Sequence, residues 1–135
     1  MKKLSTRETA ETPKKVTLEE LLARAAKSKT ARKEARELYV KSLGGTITIE
    51  KPDRAVCLEA LDMENSEEAD EYIVYNCVVS PPLKDKALQE AYGVVSPMEI
   101  VAKVFEPGEI SAVSKECLIL AGYINSVKVV DEIKN

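Results

Sequence analysis

The chain contains no histidine, so the commonest general base near neutral pH and the commonest zinc ligand are both missing. Its three cysteines, Cys57, Cys77 and Cys117, form no CxxC pair, which removes support for a structural zinc site. No GxxxxGK[ST], GxGxxG or GxSxG occurs, so the phosphate cradles of nucleotide-binding folds and the elbow of serine hydrolases lack support. Long apolar runs are also lacking. Nothing approaches the roughly 20 residues that cross a bilayer, and the opening MKKLSTRETAETPKK has no signal-peptide hydrophobic region. The expectation is a cytoplasmic, non-enzymatic protein with no metal, no cofactor and no membrane contact. The cysteines are odd in number and sit in apolar patterns, which reads as three reduced core residues.

What is present is a 135-residue chain, 44% apolar and 32% charged, long enough for one hydrophobic core without disulfides. Charge is uneven. Residues 1–36 hold 11 basic and 5 acidic residues, a net +6, while the rest hold 9 against 18, a net −9. The basic arm has no aromatic residue on which a base could stack, so it reads as a solvated extension and no nucleic-acid partner is expected. Acidic pairs such as Glu67-Glu68 and Asp131-Glu132 read as solvated charges at helix ends.

Residues 1–15 have the composition of a disordered basic leader, and residues 16–135 read as a single helical domain. Thr17-Leu18-Glu19-Glu20 is a capping box, followed by a short stripe of Leu18, Leu21 and Leu22. The next stretch, AKSKTARKEARE, is helical by propensity but has little to anchor it. Then LYVKSLGGTITIEKP, Leu38 to Pro52, alternates like a β-hairpin with Gly44-Gly45 at its tip. Tyr39, Leu43, Ile47 and Ile49 fall on one expected face, with Thr46 and Thr48 on the other.

After Pro52 the pattern is of successive short helices. Residues 53–63 place Val56, Cys57, Ala60 and Leu61 on one face, and Ser66 reads as the cap of the next helix. Tyr72, Ile73, Tyr75, Cys77, Val78 and Val79 then wrap most of a helix, which predicts the most buried element, stopped by Pro81-Pro82. A helix over 84–92 closes at Gly93. Ser96-Pro97-Met98-Glu99 is a strong start signal, followed by Ile100, Val101, Val104 and Phe105 at helical spacing. Glu106-Pro107-Gly108 interrupts, and Ile110, Val113, Cys117, Leu120 and Ala121 form the next stripe. A last helix from about Ser126 would bury Val127, Val130 and Ile133. The predicted fold class is mainly α, a compact bundle of short helices with one β-hairpin near the N-terminus.

The series YVKSLGGTITIEKP, LQEAYGVVSPMEIVAKVFEPGEI and the closing DEIKN resembles the XkdN-like family of phage tail assembly chaperones. Leu43-Gly44-Gly45, Leu88-Gln89-Glu90, Tyr92-Gly93, Ile100-Val101, Val104-Phe105 and Gly108-Glu109-Ile110 carry the resemblance through their order and spacing. It implies a non-enzymatic role in virion assembly for a phage or prophage. The expected partner is the long helical tape measure protein, held soluble in the bacterial cytoplasm before the tail tube polymerises, with the chaperone absent from the mature virion. Contacts with the tail tube or with a second copy are further expected partners. Tyr92, Ile100, Val101, Val104 and Phe105 are the expected partner-binding residues. Relatives are made in two lengths by a ribosomal frameshift near the end of the frame, and Lys134-Asn135 can be encoded by an A-rich tract. Two other readings stay open: a small nucleic-acid-binding regulator using the basic arm, and a structural tail component.

Overall fold

The Gly44-Gly45 step does fold into the turn of an antiparallel hairpin. Gly44 takes φ +65°, a left-handed conformation glycine enters without a Cβ clash, and its N–H donates to the carbonyls of Val40 at 3.0 Å and Lys41 at 3.1 Å. The structure, a computed structural model, describes residues 13–29 and 31–130. Residues 33–124 form one unit, and the described residues before and after them a second.

In the first unit, β1 (Ala35–Val40) pairs with β2 (Gly45–Glu50), Val40 facing Gly45 and Ala35 facing Glu50. Each facing pair joins an even to an odd residue, so the inward parity switches across the turn. Ile47 and Ile49 are buried as expected, but they share their face with Leu38 and Val40. Tyr39 faces Thr46 on the other side and is 68% exposed, and Leu43 sits exposed in the 3₁₀ turn Lys41–Leu43. The expected face is therefore half right. β1 itself begins inside the stretch expected to be helical. Ala35, Arg36 and Glu37 are poor strand formers, and ladder bonding to β2 overrides their local preference.

The hairpin is also not alone. A third strand, β3 (Val78–Ser80), lies antiparallel to β2 with an irregularity at Thr48/Ile49, giving the order β1-β2-β3. Val78 and Val79 were expected to continue the preceding helix. Their β-branching and the proline after Ser80, which biases that residue toward extended backbone, favour a strand instead.

The helices of this unit are α2 (Arg54–Leu61), α3 (Ser66–Cys77), α4 (Lys86–Ala91), α5 (Ile100–Val104) and α6 (Pro107–Leu120). α2 buries Cys57 and Ala60 but leaves Leu61 exposed, because the face that reaches the core is narrower than the apolar stripe. α3 is capped by Asn65 rather than Ser66: the Glu68 N–H donates to Asn65 Oδ1 at 3.0 Å. It is the central helix, as expected, packing against α2, α5 and α6. Ile73, Val74 and Cys77 enter the core there and meet Ile47 and Ile49 of the sheet, Ile100, Val101 and Phe105 around α5, and Val113 and Cys117 of α6. Each large aliphatic side chain buried in this way contributes about 1.5–3 kcal/mol. All three cysteines are free thiols and buried.

In the second unit, α1 (Leu18–Ser28) starts at the expected capping box. The Glu20 N–H donates to Thr17 Oγ1 at 3.2 Å and the Thr17 N–H to Glu20 Oε1 at 3.0 Å. Leu18, Leu21 and Leu22 are all exposed. Residues 126–129 are not helical, and Val127 is 90% exposed. Two β-branched residues flanked by charges give too little burial to offset the cost of nucleating a helix. Ile133, Lys134-Asn135 and most of the basic leader lie outside the described residues.

Candidate functional site

The residues expected to meet a partner arise from two local signals. Ser96-Pro97-Met98-Glu99 folds as a 3₁₀ turn, Pro97–Glu99, which runs directly into α5; Glu99 Oε1 accepts the Val95 N–H at 3.1 Å. Glu106-Pro107 then starts α6 two residues after α5 ends, with proline in the first turn, where its missing N–H costs nothing. The two short links leave α5 wedged into the core. Ile100 and Val101 are fully buried and Phe105 is 3% exposed, all in one cluster with Val104 packed at its margin. Tyr92 stands apart at the C-terminal end of α4, where Gly93 closes the helix at φ +68°, and is 45% exposed. Of the five residues, Tyr92 and Val104 reach the surface, and the other three set the position of α5.

Beside α5 lies a groove of about 380 Å³ between the start of α3 and the α5–α6 junction. Ala102, Phe105, Pro107 and Ile110 form an apolar floor, and Glu67, Asp70 and Glu71 form the facing wall. Glu67 sits in the first turn of α3, where negative charge complements the free N–H groups of the helix start, and Asp70 and Glu71 follow in the next turn. Partial burial, together with repulsion from Glu67 and Glu68, holds the Glu71 carboxyl above the ordinary carboxylate range. Asp70 accepts a 2.8 Å hydrogen bond from the hydroxyl of Ser114, which is 1% exposed on α6. That bond ties α3 to α6 behind the groove.

The arrangement suits recognition: an apolar floor with a negative lip takes an apolar side chain flanked by lysine or arginine. Among the described residues, no group of three His, Cys, Asp or Glu side chains is placed to hold a metal ion. Sequence reasoning named Phe105 as a contact residue, placed Ile110 only in a helix stripe, and missed the acidic wall, because Glu67-Glu68 read as solvated charge. It also missed Ser114, although a lone polar residue within the stripe Ile110, Val113, Cys117 was a visible sign of a buried hydrogen bond.

No curated protein and no solved structure matches the chain. Its sequence does match one family over residues 1–134, in keeping with the order of hairpin, Leu88–Gly93 and α5–α6 signatures along the chain. The chain belongs to the phage XkdN-like tail assembly chaperone protein family.

Proposed function

We propose that the protein binds a segment of the phage tape measure protein and keeps it soluble in the host cytoplasm until the tail tube forms, and that it is left out of the finished virion. Family membership over residues 1–134 carries this reading. The groove beside Phe105 supports it physically. A long helical protein without its tube exposes apolar side chains, and a floor of Ala102, Phe105 and Ile110 under a lip of Glu67 and Glu71 offers one such side chain shelter and its basic neighbours a counter-charge. Ile100 and Val101 act from beneath by fixing α5, Val104 adds a contact on the same helix, and Tyr92 supplies a separate contact at the end of α4.

Binding in this mode needs no reacting group, because apolar burial and complementary charge do all the work. It is therefore salt-sensitive, since the acidic lip is solvent-facing and screened beyond about 8 Å at physiological ionic strength. Co-expression tests the reading. The tape measure protein should be recovered in the soluble fraction with this protein and in the pellet without it. Equal recovery in both cases rejects the chaperone role.

A further inference from the structure

The sheet treats its two edges differently. The β3 edge is three residues long, carries an irregularity where β2 meets it, and runs into Pro81-Pro82. Each of these features discourages another strand from pairing there. The β1 edge has none of them: six residues in uninterrupted register, without proline.

The ladder fixes which groups this edge presents. The Lys51 N–H donates to the Glu34 carbonyl at 2.8 Å, so by the alternation of an antiparallel pair the even residues of β1 bond to β2. The N–H and C=O of Glu37 and Tyr39 point the other way, and among the described residues no protein group bonds to them. Alongside lies a groove of about 480 Å³ between β1 and α6, with Leu38, Val40, Ala112 and Val113 as its apolar floor. Two polar clasps hold its ends. Arg36 meets Glu116 at 3.4 Å, and the hydroxyl and N–H of Ser42 donate to Glu109 at 2.7 and 3.1 Å.

We infer that the open β1 edge accepts an extended segment of another protein as a fourth strand, one whose residues alternate between small apolar and basic. The outward N–H and C=O groups of Glu37 and Tyr39 supply the ladder, and every second side chain of the guest rests on Leu38, Ala112 and Val113. Charge selects the guest. On the α6 side Glu116 is paired with Arg36 and Glu109 is held by Ser42, whereas Glu37 and Glu50 lie on the sheet face turned away from α6, where alternation puts the guest's basic side chains; residues 33–124 carry 9 basic against 17 acidic residues, a net −8. A second copy of this chain would bring the same glutamates face to face, so a foreign basic strand is the better occupant. This inference is independent of the groove beside Phe105, which lies on other residues.

The test uses the full chain and a peptide of about ten residues alternating lysine and valine, the length of a long strand. Two controls accompany it: a glutamate–valine peptide, and a lysine–valine peptide N-methylated at alternate residues. The lysine–valine peptide should bind saturably and slow hydrogen exchange at the Glu37 and Tyr39 amides. N-methylation should weaken binding about tenfold or more, equivalent to about 1.4 kcal/mol, as should Ala112→Gln, which narrows the groove from an exposed position. Equal affinity for the methylated peptide means simple charge attraction and overturns the proposal. So does equal affinity for the glutamate peptide. Concentration-dependent protection of the same amides without peptide, with a dimer by sedimentation, assigns the edge to a second copy and also overturns it.

Discussion

Two helices of nearly equal length frame the physics of this molecule. α1 has 11 residues and a complete capping box; α3 has 12 residues and a single Asn65 cap. α1 buries nothing, whereas α3 buries Ile73, Val74 and Cys77. Caps start a helix, but only burial ties it to the cooperative unit, since helical stability in proteins comes chiefly from tertiary packing. The groove beside Phe105 follows from the same contrast. Because α3 is anchored, Glu67, Asp70 and Glu71 near its start are held at a fixed place opposite Phe105.

The sharpest way to break the comparison is to remove equivalent apolar groups from both helices. Ile73→Ala should destabilise the protein by about 2–5 kcal/mol, the range for emptying a buried aliphatic site. Leu21→Ala on α1 should change the main unfolding transition by no more than about 0.5 kcal/mol. Urea unfolding followed by circular dichroism measures both, and a comparable loss for Leu21→Ala would show that α1 belongs to the same cooperative core.

The caps give a smaller effect of the same form. Asn65→Ala leaves the Glu68 N–H without its 3.0 Å partner and should cost about 1 kcal/mol. Thr17→Ala breaks the bond to the Glu20 N–H, and should shorten α1 in amide exchange without moving the midpoint. A shifted midpoint for Thr17→Ala would contradict the division.

How much of this was legible beforehand follows the same line. Features set by a few neighbouring residues were readable: the Thr17–Glu20 box, the Gly44 turn, the Gly93 stop, the proline start at 97, and the stripe of α6; Glu106-Pro107-Gly108 read only as a break, whereas Pro107 opens α6. Features set by distant partners were not. β3 forms because Val78–Ser80 finds β2, and Ala35–Glu37 becomes a strand for the same reason. The inward face of β1 was misassigned although any even-length turn, the expected Gly44-Gly45 tip included, pairs odd with even residues and so puts Leu38 and Val40, not Tyr39, beside Ile47 and Ile49. The acidic wall of the groove was invisible because its meaning lies in facing Phe105 and Ile110, residues some forty positions away.

The smallest expected effects come from charge. The Glu71 carboxyl is held above its usual range in the fold, so this group favours the folded state below the unfolded value of about 4.3 and loses that contribution as pH rises through the folded value. Glu71→Gln should therefore stabilise the protein slightly at neutral pH, with the gain vanishing below about pH 4. Glu109 behaves oppositely. Accepting the Glu106 N–H and the Ser42 hydroxyl lowers its carboxyl, so its contribution is present above about pH 4.3 and is lost as pH falls through the folded value. Glu109→Gln should weaken the fold at neutral pH and make no difference in strong acid. Thermal midpoints of the two variants across pH 3–8 check the signs, and parallel curves would contradict the environments described.

The groove itself is tested most directly by filling it. Ala102 is exposed on its floor, outside the buried cluster, so Ala102→Trp should leave the unfolding midpoint close to that of the wild type while occupying the space a partner's side chain would use. Co-expressed with the tape measure protein, the wild type should keep that partner soluble, and a folded Ala102→Trp variant should leave most of it in the pellet. A folded variant that solubilises the partner as well as the wild type would contradict recognition through the groove beside Phe105.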